Sequence, residues 1–205
     1  MAGDPTTPAG PPPSARRQEL LEAAYRYVLR HGLSEMSLRP LAAAIGSSPR
    51  VLLLLFGSKE GMVRALLARA RDDELTVLAD VRRARGDGGL PAAADVVWSW
   101  LADPAHRGLL VLWLESYTRS LVDPQGPWAG FAARTVADWF AVLTEIDGRT
   151  ADADADAEAV DRTLLLAVLR GALLDLLATG DLARTTAAVQ RHVRAFAGRA
   201  DGAAG

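Results

Sequence analysis

The chain has 205 residues, half of them apolar and 23% charged, with a formal net charge of −2; this suffices for one or two cores and rules out a bulk electrostatic attraction to nucleic acid. Cysteine is absent, which excludes a disulfide framework and thiolate metal ligands. The longest apolar runs, Gly108 to Leu114 and Leu164 to Leu177, are short or interrupted by Arg170 and Asp175, so no membrane partner is expected and a soluble, cytoplasmic protein is.

Residues 1–13, rich in Pro, Gly and Thr and lacking an apolar stretch, read as a disordered tail rather than a signal peptide. From Ser14 to Gly198 apolar residues recur at helical spacing, and no alternating run is long enough for a strand. The predicted fold class is all-α, with about nine helices. The first helix runs from Ser14 to Gly32, with Leu20, Ala24, Tyr27 and Val28 on one face. The second is capped by Ser37 and carries Leu38, Leu41, Ala42 and Ile45 before Gly46; Pro40 is tolerated in its first turn. The third takes Ser48 as its N-cap and Pro49 at its first position, and ends at Gly57. Two short helices about a tight glycine turn form the pattern that lays the second of them into a DNA major groove.

A fourth helix opens at Lys59, the only lysine among 23 basic residues. A point charge at a helix start is well placed to grip a phosphate. The local charge agrees, because from Ser14 to Arg71 ten basic side chains stand against four acids, about +6, while the remainder carries about −8. The fourth helix continues to the Gly-rich stretch Arg85 to Gly89, which reads as a hinge or linker. The fifth spans Pro91 to Ala102, the sixth Ala105 to Val122, the seventh Trp128 to Ile146, the eighth Ala157 to Thr179 and the ninth Asp181 to Ala197. This divides the chain into a helix-turn-helix domain over 14–60, a helical bundle over 61–198 and a short tail over 199–205.

All five tryptophans lie beyond residue 90, close in sequence to Tyr117, Phe131 and Phe140. A bundle lined by them either packs them as core or encloses an apolar pocket, for which Trp98, Trp113, Tyr117, Phe131, Trp139 and Arg170 are the candidates, with Glu115 as a possible orienting charge. The eighth helix is apolar around more of its circumference than one neighbour covers. Pairing with a twofold mate is the natural solution, which nominates Leu165, Leu169, Leu173, Leu176 and, on the ninth helix, Val193 as a dimer interface. Catalysis has no residues to rest on, and no cofactor is implied. The acidic run Asp152 to Glu158 places Ala157 and Thr163 where a calcium loop needs glycine and a bidentate acid, and His31, His106 and His192 stand on different helices.

The segment Ser37-Leu38-Arg39-Pro40-Leu41-Ala42-Ala43-Ala44-Ile45-Gly46-Ser47-Ser48, followed by Phe56-Gly57-Ser58-Lys59-Glu60, resembles the N-terminal region of the tetracycline-repressor (TetR) family of bacterial regulators. So does the run-up from Leu20-Leu21-Glu22-Ala23-Ala24 to His31-Gly32, and the resemblance covers about residues 16 to 70. It implies an operator-binding homodimer whose remaining helices bind a small effector and dimerise. Residue by residue it implies that Ser37 and Arg39 face backbone or a base edge, that Ser48, Pro49 and Arg50 open the recognition helix, and that Lys59 touches phosphate. Arg39 and Arg50 are the side chains there able to bond guanine bidentately.

One departure stands out. Family members usually carry an aromatic, most often tyrosine, at the position of Leu53 and a polar residue or histidine at one or both of the next two, whereas this chain reads Leu52-Leu53-Leu54-Leu55. Leu53 and Leu54 are expected to be at least partly exposed, offering only apolar contact to a thymine methyl. The first reading is a regulator, a repressor, that binds a pseudo-palindromic double-stranded DNA operator as a homodimer and is released by a small apolar or aromatic effector. A second is an all-α interaction module that docks the leucine-rich third helix onto a protein without binding DNA. A third is a small-ligand binding protein or cryptic enzyme built on the aromatic bundle.

Overall fold

The computed structural model describes residues 13–33, 36–83, 89–147 and 155–202; among these, the regular structure is nine α-helices and one 3-10 turn, with no strand. The tails at 1–12 and 203–205, most of the expected hinge within 84–88, and residues 148–154, which include the start of the acidic run, lie outside the described residues. The chain divides into two compact units, Met1–Arg69 and Ala70–Gly205.

The first unit holds α1 (Pro13–His31), α2 (Leu38–Ala44), α3 (Pro49–Phe56) and the opening turns of α4 (Lys59–Arg83). Leu20, Ala24 and Val28 recur every four residues along α1 and are fully buried, as are Leu41, Leu52, Met62 and Leu66 from the other three helices. Tyr25, not Tyr27, completes the buried stripe of α1; Tyr27 is half-buried against the His31 ring, 4.4 Å between centroids. The unit extends past residue 60 because α4 contributes Met62, Val63 and Leu66 to its interior. Arg69 then ties α4 back to α1, its Nε donating to Glu22 Oε1 at 2.9 Å while its guanidinium lies 4.7 Å from the centre of the Tyr25 ring.

Two glycines set the path of the chain here. Gly46, at φ 65°, makes the left-handed turn that brings the axes of α2 and α3 to 103°. Gly61 lets α4 start close against the end of α3, since a Cβ at that position would collide with the Phe56 carbonyl oxygen.

The second unit holds the rest of α4, α5 (Gly89–Ala102), the 3-10 turn Pro104–His106, α6 (Arg107–Val122), α7 (Phe131–Asp147), α8 (Ala155–Thr179) and α9 (Leu182–Gly202). Its core joins Leu78 and Val81 of α4, Leu90, Ala94 and Val97 of α5, Val142 and Leu143 of α7, Leu169 of α8 and Val189 of α9. α7 begins at Phe131 rather than at Trp128, because Pro127 and the left-handed Gly130 hold the preceding residues in turns. α9 runs on to Gly202, beyond the expected end at Ala197. No single helix among the described residues is long and apolar enough to cross a membrane.

α8 is apolar on two faces, and the structure reverses their expected roles. Leu165, Leu169 and Leu173, with Val193 of α9, are buried inside the unit, and Leu176 is half-buried against the same core. They are interior because α5, α7 and α9 all pack against α8 and cover this stripe. The stripe left in solvent is Val160, Leu164, Ala167, Gly171 and Leu174, spaced alternately four and three residues apart.

Candidate nucleic-acid interface and apolar cavity

Three helices of the first unit begin with polar or basic side chains in solvent. Ser37, in extended conformation, is the N-cap of α2, and its side chain makes no capping hydrogen bond, which leaves the hydroxyl available to another partner. Ser48 caps α3, its Oγ accepting from the Val51 N–H at 3.3 Å, and Pro49 fills the first helical position, where a missing N–H costs nothing. Ser58 caps α4 in the same way, accepting from the Gly61 N–H at 3.0 Å. Arg39, Arg50 and Lys59 are exposed within the first two residues of α2, α3 and α4.

Six of the basic residues of this unit fall into two groups. Arg16 pairs with Glu19 at 2.7 Å, Arg17 lies 4.9 Å over the Phe56 ring, and Arg69 is held by Glu22 and Tyr25, so these three serve the fold. Arg39, Arg50 and Lys59 make no hydrogen bond or ion pair among the described residues. Glu60 beside Lys59 is held below the usual carboxylate range, first by its own backbone N–H and by Ser58, then by the nearby charges of Lys59 and Arg64. Positive charge and unsatisfied helical N–H groups thus coincide at three helix starts, an arrangement that attracts phosphate.

On α3, Leu52 and Phe56 are buried and Leu55 is half-buried, while Leu53 and Leu54 are 42% and 81% exposed. An eight-residue helix packed on one side has no other place for them. Its outward face therefore presents two leucines beyond Arg50.

The second unit contains a cavity of about 730 Å³ between atoms, its mouth included. Of the six residues expected to line it, Trp113, Phe131, Trp139 and Arg170 do so. Trp98 and Tyr117 do not. Trp98 is buried with its indole N–H donating to Thr186 Oγ1 of α9 at 3.0 Å, and Tyr117 lies behind Trp113, ring centres 5.3 Å apart. Residues two apart on a helix face different directions, so it is Trp100 that lines the cavity, stacked at 4.2 Å on His106. Glu115 is likewise not among the lining residues. Leu169 and Leu173, expected at a dimer interface, are part of the cavity wall.

The carboxylate in the wall is Glu74, which sequence reasoning passed over among the acids Asp72, Asp73 and Glu74. The signal was its register: Ala70, Glu74 and Val77 share one apolar stripe of α4, and all three line the cavity. Burial pushes the Glu74 carboxyl up, against the pull of Arg71, whose Nη1 donates to Glu74 Oε2 at 3.1 Å and which also pairs with Asp138. Burial presses the Arg170 guanidinium down, opposed by Tyr117 and Glu74. Ser116, in the wall as well, is satisfied by donating to the Leu112 carbonyl at 2.7 Å. Among the described residues no group of three acids or histidines stands together as a metal site.

Comparisons with known proteins find relatives of the N-terminal helices and of the overall fold. The family model described as bacterial regulatory proteins, tetR family, matches residues 20–66. The chain is 32% identical over 116 residues to the HTH-type transcriptional repressor AcnR of Corynebacterium glutamicum, a match covering 57% of this chain and 56% of AcnR. The match to AcnR of Corynebacterium efficiens has the same extent, so the chain spans about half the length of the curated relatives it matches. A TetR transcription regulator from Haloarcula marismortui has a similar fold, with a TM-score of 0.66 at 17% identity over 87% of this chain and 94% of that one. The multidrug binding protein EbrR complexed with proflavin does too, with a TM-score of 0.60 at 24% identity over 87% and 99% of the two chains.

Proposed function

We propose that this chain, whose residues 20–66 match the family model described as bacterial regulatory proteins, tetR family, is a ligand-responsive transcriptional repressor. It binds a pseudo-palindromic operator as a homodimer and leaves it when a small molecule enters the cavity. The carrying observation is the set of exposed Arg39, Arg50 and Lys59 in the first turns of three helices, unpaired among the described residues, with the uncommitted Ser37 hydroxyl two positions before Arg39. α3 enters the major groove, Arg50 reads base edges, and Lys59 holds a phosphate. The relationship to AcnR supports repression, and the ligand-bound EbrR fold supports a binding bundle. The protein acts by binding, without turnover. Release requires the effector to favour a state of weaker operator affinity, for which a coupling of about 1 to 3 kcal/mol suffices.

Dimerisation uses the exposed stripe of α8 around Leu164, Gly171 and Leu174, whose alternating spacing suits packing against the same helix of a second copy.

The test is fluorescence anisotropy on the DNA upstream of the gene, followed by a random-sequence selection if that site is silent. Saturable binding beyond a scrambled duplex is expected. Arg50→Ala is expected to cost about 1 to 3 kcal/mol and to relax preference at one position, and Lys59→Ala to lower the salt slope by about 1. Failure of both searches would favour the second reading, protein docking through the exposed Leu53 and Leu54.

A further inference from the structure

Two charged groups in the cavity wall carry polar atoms that are fully buried and unpartnered: Glu74 Oε1 and Arg170 Nη2. Their needs differ in kind. Glu74 already has Arg71 on its other oxygen, and an occupant need not supply a cation, because a proton on Oε1 removes the charge, a form that burial favours. Arg170 has no such way out. A guanidinium keeps its charge, and no hydrogen bond or ion pair to Arg170 is present among the described residues. A guanidinium N–H shut away from water with no acceptor, as at Nη2, is costly until an acceptor arrives. The wall around it is almost wholly apolar, with Trp100, Trp113, Phe131 and Trp139 supplying its large flat surfaces.

We propose that the cavity selects amphipathic carboxylic acids, the carboxylate seated on Arg170 and the apolar body held among the four aromatic rings. This deepens the effector reading of the preceding section and rests on it only for its regulatory meaning; ligand selection is a property of the cavity itself. Arg170 is the specificity-determining residue, because it can present two parallel N–H groups to a carboxylate. The aromatic rings supply contact area without distinguishing the charge of the ligand's head group.

Isothermal titration calorimetry on the full chain tests this with matched probes: 1-naphthylacetate and decanoate, their methyl esters, and 1-naphthylmethylamine. At least one acid is expected to bind about tenfold or more tighter than its own ester and tighter than the amine. Arg170→Gln is expected to bring acid and ester within about twofold of each other, and Arg170→Lys to recover part of the difference. Glu74→Gln is expected to keep the preference for the acid. Circular dichroism and the melting temperature of each variant show whether it is folded, and the comparison of acid with ester on the unaltered chain needs no variant. Esters or the amine binding as tightly as the acids, absence of binding by both acids, or a preference untouched in folded Arg170→Gln would each overturn the proposal. Operator binding, measured separately by anisotropy, is independent of these outcomes. A cavity that fails to select acids leaves a DNA-binding regulator standing, and a chain that selects acids without binding DNA removes the regulator alone.

Discussion

Leu52 and Leu54 stand two positions apart on α3 and meet opposite environments, one fully buried and the other almost bare. Leu52→Ala is expected to cost about 2 to 5 kcal/mol in urea unfolding, because truncating a fully buried side chain leaves a cavity. Leu54→Gln is expected to change stability by no more than about 0.5 kcal/mol. The neighbouring Leu53 offers a test of gain rather than loss. A phenol there adds a hydrogen-bond donor at a position that has none, so Leu53→Tyr is expected to tighten operator binding by about 1 kcal/mol, roughly fivefold, in the anisotropy assay. No change in affinity, with the fold intact, would mean that this face of α3 does not approach phosphate.

The corner between α8 and α9 shows what an element boundary depends on. Arg184 of α9 reaches back to both Asp175 oxygens at 2.6 and 2.7 Å, and its backbone N–H donates to Asp181 Oδ1 at 3.0 Å, which caps the helix. The Arg184 hydrogen bonds hold the Asp175 carboxyl below its ordinary value of 3.8, so its contribution to stability is present above that pH and lost as pH falls through the lowered value. The melting temperature of the unaltered chain should therefore exceed that of Arg184→Gln near neutral pH and converge on it as pH falls through the lowered value. Boundaries of this kind were legible in the sequence because caps and glycines act locally: Ser48, Pro49 and Gly57 bracket α3 as read. The inward side of α8 was not legible, since a helix apolar all round carries no direction of its own, and only packing by α5, α7 and α9 chose Leu165 over Leu164. The site was half legible for the same reason. Aromatic content announced a cavity, but Trp100 took the place expected of Trp98, and Glu74 was not among the residues expected there.

At the scale of the whole molecule, the basic N-terminal third of the sequence and its acidic remainder nearly coincide with the two units, with Arg39, Arg50 and Lys59 in the first and the cavity in the second. A second copy is expected on the outer stripe of α8. Leu164→Glu, which places a charge on that stripe without touching the core, should yield a monomer by analytical ultracentrifugation with little loss of helix content. If the variant sediments like the unaltered chain, the stripe is not the interface. The composition also has a practical side: Lys59 is the only side-chain amine in the protein, and no thiol competes with it. Reductive methylation with an isotope-labelled reagent therefore modifies one side chain, apart from whatever α-amino group begins the chain. A single methyl resonance then sits at the proposed phosphate contact, so DNA occupancy can be followed by NMR in a protein of unaltered sequence.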